Sequence, residues 1–152
     1  MSDEAKFKNI LVPLDGSEYS IKALDYASIM AKGFNSKLIA LYVVPSSIRY
    51  NLFLNKENAE INFPFNQIIQ VSYIEAQKWL RDITKKRDIE IVTEVIIAEE
   101  SIVSEIIEFA EREKIDLIIM GTRGRTGFKK ILLGSVASGV VNFAHCPVLV
   151  IR

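Results

Sequence analysis

The chain has one cysteine, Cys146, and one histidine, His145. A single thiol excludes an intramolecular disulfide framework and fits a reducing compartment, so a cytoplasmic protein is expected. One histidine beside one cysteine supplies neither a His/Cys zinc site nor a catalytic dyad with spare members. Net charge is absent too: 19 basic residues balance 19 acidic ones. Nothing global therefore favours nucleic acid or a membrane surface as partner. No apolar run approaches the roughly 20 residues of a membrane span. The opening MSDEAKFKN carries charge and no apolar segment of signal-peptide type. Acidic residues also run out along the chain. Asp116 is the last, and Arg123, Arg125, Lys129, Lys130 and Arg152 follow it. A locally basic end on a neutral protein points to a local anionic ligand, or to a solvated basic face.

What is present is ample for a core. Hydrophobic residues make up 49% of 152 and charged ones 25%, the composition of an ordinary globular domain. Apolar runs alternate with amphipathic stretches. Asn9–Pro13, Lys37–Val44, Ile89–Ala98, Leu117–Met120 and Pro147–Ile151 read as five strands. Helices are predicted from Ser17 to about Lys32, with Gly33 as C-terminal cap, and from Asn66 to about Arg87. Two more follow: one capped by Ser101, and one from Ser135 to about Ala144. Ser46 to Phe65 shows no period, and its Phe53, Phe63 and Phe65 suit a core cover, a lid or a partner surface. No domain boundary or internal repeat is visible, so residues 1–152 read as one domain.

Strands that are apolar on both faces belong to a parallel sheet covered by helices on both sides. The expected fold is α/β: a single-domain, doubly wound, five-stranded parallel sheet of order 3-2-1-4-5. Ligands of such sheets sit beyond the carboxyl ends of the strands, where the order reverses. Strands one and four would be neighbours there. Two unusual loops would then flank one crevice: Pro13-Leu-Asp-Gly-Ser17 and Gly121-Thr-Arg-Gly-Arg-Thr-Gly127. Gly121, Gly124 and Gly127 leave backbone free to take positive φ and to approach a ligand closely. Gly134-Ser135 opens a helix, whose unpaired N–H groups and dipole favour an anion. Glycine loop, cations and helix start together describe a phosphate cradle. Taken singly, each glycine also serves as an ordinary turn residue.

Other fingerprints are missing. Gly134-Ser-Val-Ala-Ser-Gly139 lacks the Lys and Ser/Thr of a P-loop, and no G-x-G-x-x-G opens the first helix. PLDGSE is also a poor phosphate loop for a flavodoxin-like FMN binder.

The stretch MGTRGRTGFKKILLGSV resembles the nucleotide motif of the ATP-binding branch of universal stress proteins. That motif runs glycine, two residues, glycine, nine residues, glycine, then serine or threonine. Gly121, Gly124, Gly134 and Ser135 fit it without adjustment. NILVPLDGSEYS, LYVVP and CPVLVIR resemble the family's opening strand and loop, its second strand and its ending. The resemblance implies ATP as ligand, with Mg2+ or Mn2+ held mainly through the phosphates. It implies that Pro13 and Asp15 lie by the adenosine, with Asp15 near the ribose or the metal. Val43 would offer its backbone to the adenine edge, and Met120 would line the base pocket. Gly121, Arg123 and Gly124 would follow the ribose and phosphates, and Gly134, Ser135 and Val136 would hold the phosphates. Each has a plainer reading: Asp15 as a turn or helix cap, Val43 and Met120 as core, Arg123 as a solvated cation.

The function implied is a nucleotide-dependent regulatory or stress-response switch with at most slow hydrolysis and a protein partner of unknown kind. The alternative is an adenine-nucleotide hydrolase, an ATPase or a relative of the ATP pyrophosphatases. The loop Ser-Gly-Gly-x-Asp-Ser that those pyrophosphatases carry is replaced here by Pro13-Leu-Asp-Gly-Ser17. The last strand, apolar and at a sheet edge in this order, is expected to pair with its own copy in a homodimer.

Overall fold

A computed structural model describes residues 6–45, 65–123 and 133–152, and of 65–71 the backbone. The strands are β1 (Asn9–Leu14), β2 (Lys37–Val44), β3 (Ile91–Ile97), β4 (Leu117–Gly121) and β5 (Val148–Ile151). The helices are α1 (Glu18–Phe34), α2 (Phe65–Thr84), α3 (Ile102–Arg112) and α4 (Ser135–Phe143). The sheet order is β3-β2-β1-β4-β5 with every pair parallel, as expected from the alternation of strands and helices. Of the Ser46–Phe65 stretch, Phe65 opens α2; residues 46–64, including Phe53 and Phe63, lie outside the described residues.

The period of two along each strand sends alternate side chains to opposite faces. Ile10, Val12, Leu14, Leu38, Ala40, Leu117 and Ile119 meet Ala23, Leu24 and Ala27 of α1 and Ala76 and Leu80 of α2. Leu11, Ile39, Leu41, Val43, Ile118 and Met120 meet Ile106 and Phe109 of α3 and Ala137 and Val140 of α4. Two helices thus cover each face. This double burial is why the central strands carry no charged residue after their first positions, where Asn9 and Lys37 open β1 and β2, while the edge strands β3 and β5 are only partly buried.

Local chemistry fixes the ends. Asp15 Oδ1 accepts the N–H of Ser17 at 2.9 Å, and Gly16 takes φ 84°. Ser17 Oγ then accepts the N–H of Ser20 at 3.2 Å and caps α1. The far end of α1 differs from expectation. The helix passes through Gly33 and Phe34, and Asn35 takes the left-handed conformation at φ 54°. The N–H groups of Asn35 and Ser36 both reach the carbonyl of Ala31. Phe34, one residue beyond Gly33, packs edge-on against Phe7, ring centroids 5.4 Å apart. Ser101 caps α3 as expected, in a reciprocal box with Ser104. At the opposite end of the sheet, Asp116 Oδ2 accepts the N–H groups of Lys8 and Asn9, each at 2.8 Å, and so fastens the start of β1 beside β4.

Candidate functional site

The reversal in strand order lies between β1 and β4, paired at Ile10–Leu117 and Leu11–Ile118. Beyond their carboxyl ends opens a cleft of about 460 Å³. Pro13 and Asp15 come to it from β1, Val43 from β2, and Met120, Gly121 and Arg123 from β4 and its exit. Gly134, Ser135 and Val136 come from the start of α4. Nine residues separated by more than a hundred positions in sequence are therefore gathered round one opening. Gly124, and with it Gly127, lies outside the described residues.

Backbone hydrogen bonds set the mouth. The N–H of Gly134 donates to the carbonyl of Thr122 at 2.7 Å, which brings the start of α4 back to the end of β4. The N–H of Thr122 donates to the carbonyl of Ile151 at 2.8 Å. Ser17 Oγ, besides capping α1, donates to the carbonyl of Arg123 at 3.4 Å. The two loops that the sequence singled out are thus tied together directly.

The start of α4 is chemically unlike the starts of α1 and α3. Those two carry serine side-chain caps. Gly134, the residue before α4, makes no side-chain cap bond, and no acidic residue stands in the first turn. The first N–H groups of a helix have no partner within it. Here the residues that carry them, Ser135, Val136 and Ala137, line the cleft. The helix dipole adds partial positive charge at the same point. Among the described residues, Asp15 and Arg123 are the charged ones lining the cleft. The Arg123 guanidinium also stands 5.9 Å from the centre of the Tyr19 ring, within cation–π range.

The glycines work differently from expectation. Gly121 does not occupy the left-handed region, and Gly134 sits at φ −58°. A Cβ on Gly121 would lie 2.8 Å from the backbone of Tyr19, so close approach is what this position requires. Asp15 has the plainer role foreseen for it, as a turn acceptor, and lines the cleft as well. Val43 and Met120 are likewise both core and cleft wall.

Several lining residues had not been singled out: Ser20, Leu41, Tyr42, Pro45, Ile102, Ile106, Thr122 and Ala137. Ile102 and Ile106 carry a readable signal, since the i, i+4 pair puts both on one face of α3. Together with Leu41, Val43 and Met120 they make one side of the cleft apolar. A flat apolar group suits that side and an anion suits the start of α4. His145 and Cys146 precede β5 at the other end of the sheet, where His145 Nε2 contacts the carbonyl of Ile115 at 3.1 Å.

Comparison with known proteins accords with this geometry. Universal stress protein MJ0531 of Methanocaldococcus jannaschii is 39% identical over 150 residues, covering 98% of this chain and 84% of the relative. The solved structure of MJ0577, from the same organism, superposes with TM-score 0.79 at 28% identity, covering 96% of each chain. The universal stress protein of Archaeoglobus fulgidus in complex with dAMP has the same fold, with TM-score 0.64 at 20% identity over 95% of this chain and 98% of that one. Residues 6–152 match the universal stress protein family as a whole, and the chain belongs to that family.

Proposed function

We propose that the cleft binds ATP and that occupancy, rather than turnover, is its output. One observation carries the reading: the uncapped start of α4, with Ser135, Val136 and Ala137 facing a cleft whose other side is apolar. Phosphates go to those N–H groups, with the Ser135 hydroxyl and Gly134 beside them. Adenine goes against Met120 and Val43, whose backbone reads the base edge. The ribose lies by Pro13 and Asp15, and Gly121, Arg123 and Gly124 follow the phosphate chain. The dAMP held by the Archaeoglobus protein supports an adenine nucleotide as the ligand class.

No cluster of three or more His, Cys, Asp or Glu side chains that could hold a metal ion occurs among the described residues. Mg2+ or Mn2+ would travel with the phosphates, and Asp15, which lines the cleft, is a carboxylate available to it. Such an ion would supply charge neutralisation to the phosphates. We read the cleft as that of a switch rather than a hydrolase. Asp15 is the lone carboxylate lining the cleft among the described residues, and His145 lies at the opposite end of the sheet. Hydrolysis well below the roughly 10 s⁻¹ typical of enzymes is expected. A nucleotide-dependent stress-response switch also needs something to act on. We assign that role to a protein partner and to a second copy of this chain paired at β5. No helix among the described residues is long and apolar enough to cross a membrane.

Calorimetry with ATP, GTP and FMN in the presence of magnesium tests the reading. ATP should bind, and more tightly than the other two. Absence of heat with ATP at high protein concentration, or a preference for FMN, overturns it.

A further inference from the structure

Gly139 sits in the middle of α4, where glycine is less favourable than alanine by about 1 kcal/mol. Its place is explained across the helix interface. A Cβ at Gly139 would lie 2.8 Å from Cγ2 and 2.9 Å from Cγ1 of Val103 on α3. Both are far inside ordinary contact, and valine in a helix is confined almost to one rotamer. A methyl group at 139 is therefore accommodated chiefly by moving α4 away from α3.

Both helices contribute residues to the lining of the cleft. Ile102 and Ile106 flank Val103 in sequence and form part of the apolar wall. Ser135 precedes Gly139 by four residues, one turn along the same face of α4, and opens the row of N–H groups. The start of α4 is also held to β4 by the bond from Gly134 to Thr122. Separation of α3 from α4 at Val103–Gly139 thus changes the span between wall and N–H row.

We propose that Gly139, through its contact with Val103, is a positioning residue that sets the distance between the base wall and the phosphate-binding N–H groups. This rests on the nucleotide reading given above. Gly139 touches no ligand in this scheme; it acts through the placement of Ser135–Ala137.

The test measures ATP affinity and apo-protein melting for wild type, Gly139→Ala, Val103→Ala, the double variant and Leu80→Val. Leu80 lies in the core on the other face of the sheet and serves as the control for general destabilisation. Gly139→Ala should remain folded and lose at least about tenfold in ATP affinity, equivalent to about 1.4 kcal/mol. Removing the opposing methyls in the double variant should restore most of that loss. Leu80→Val should lower the melting temperature and leave affinity unchanged. Unaltered affinity in folded Gly139→Ala overturns the proposal. So does a loss that the double variant fails to restore, or one that Leu80→Val reproduces. Wild-type protein that binds no ATP overturns the nucleotide reading and this inference with it, whereas binding by wild type and Gly139→Ala alike overturns this inference alone.

Discussion

Gly121, the last residue of β4, lies so close to Tyr19 that an added Cβ would stand 2.8 Å from both the carbonyl carbon and the Cβ of Tyr19. The first turn of α1 thereby rests directly on the end of a buried strand, at the floor of the cleft. Gly121→Ala forces that backbone contact apart. Overpacking of this kind costs about 1–3 kcal/mol. Urea unfolding should show a loss in that range, and a neutral result would mean that α1 is free to shift.

Gly33 is the opposite case. It lies inside α1, outside the left-handed region, and a Cβ there meets nothing within 4 Å. Alanine restricts the unfolded chain without strain in the folded one. Gly33→Ala should stabilise the protein by about 0.4–1 kcal/mol, read as a higher urea midpoint at constant slope.

These two glycines also mark how far the sequence is legible. Strands β1, β2 and β4 are legible because burial on both faces leaves runs such as LIALYVV without a polar break. The sheet order follows from the placing of unusual residues after β1 and β4, which are useful together only as neighbours. Tertiary contacts are harder to read. Gly33 looks like a helix stop, yet α1 runs on to Phe34, whose ring meets that of Phe7. The closeness of Gly121 to Tyr19 and of Gly139 to Val103 joins residues 102 and 36 positions apart, and no local pattern announces either. Of the cleft, the polar loops stand out through their glycines. The apolar wall does not, because Ile102 and Ile106 look like any other buried pair on a helix.

Cys146 gives a prediction in pH. Partial burial raises its thiol pKa above the ordinary value, and the nearby Asp116 carboxylate raises it further. The folded state therefore keeps its proton at pH values where the unfolded chain has lost it. Stability from this group is complete below the unfolded thiol pKa of about 8.5 and declines as pH rises through it toward the folded value. Alkylation by iodoacetamide should be slower in native protein than in urea, with its pH midpoint displaced upward. Coincident midpoints would contradict the assignment.

Gly134 has extended-type backbone at φ −58° and ψ 159°, which valine adopts readily. Gly134→Val should accordingly fold, while its side chain intrudes where backbone is to meet phosphate. Its ATP affinity should fall by at least about tenfold, or 1.4 kcal/mol. Asp15→Ala should weaken magnesium-dependent binding less. Normal binding by folded Gly134→Val would make this glycine structural only.

Pairing of β5 with its copy can be tested through the direction of its N–H groups. Pro147 and Ile151 accept hydrogen bonds at their carbonyls from Ile118 and Thr122, so the odd-numbered residues of this strand face β4. By the alternation of a parallel ladder, Val148 and Val150 turn their N–H and C=O groups away from β4, to an edge that pairs with no further strand among the described residues. Leu149, 37% exposed, adds apolar surface beside that edge. An open apolar edge of this kind favours association, and a two-fold axis lets two copies satisfy each other's groups in antiparallel pairing. Val150→Pro removes an N–H from the open side and leaves the bonds to β4 in place. It should turn a dimer into a monomer in light scattering with little change in the monomer's own circular dichroism. Leu149→Pro deletes an N–H on the β4 side instead, and should destabilise the subunit itself. Wild-type protein that remains monomeric at high concentration, or a Val150→Pro variant that stays dimeric, would show that the open edge of β5 is not where two copies meet.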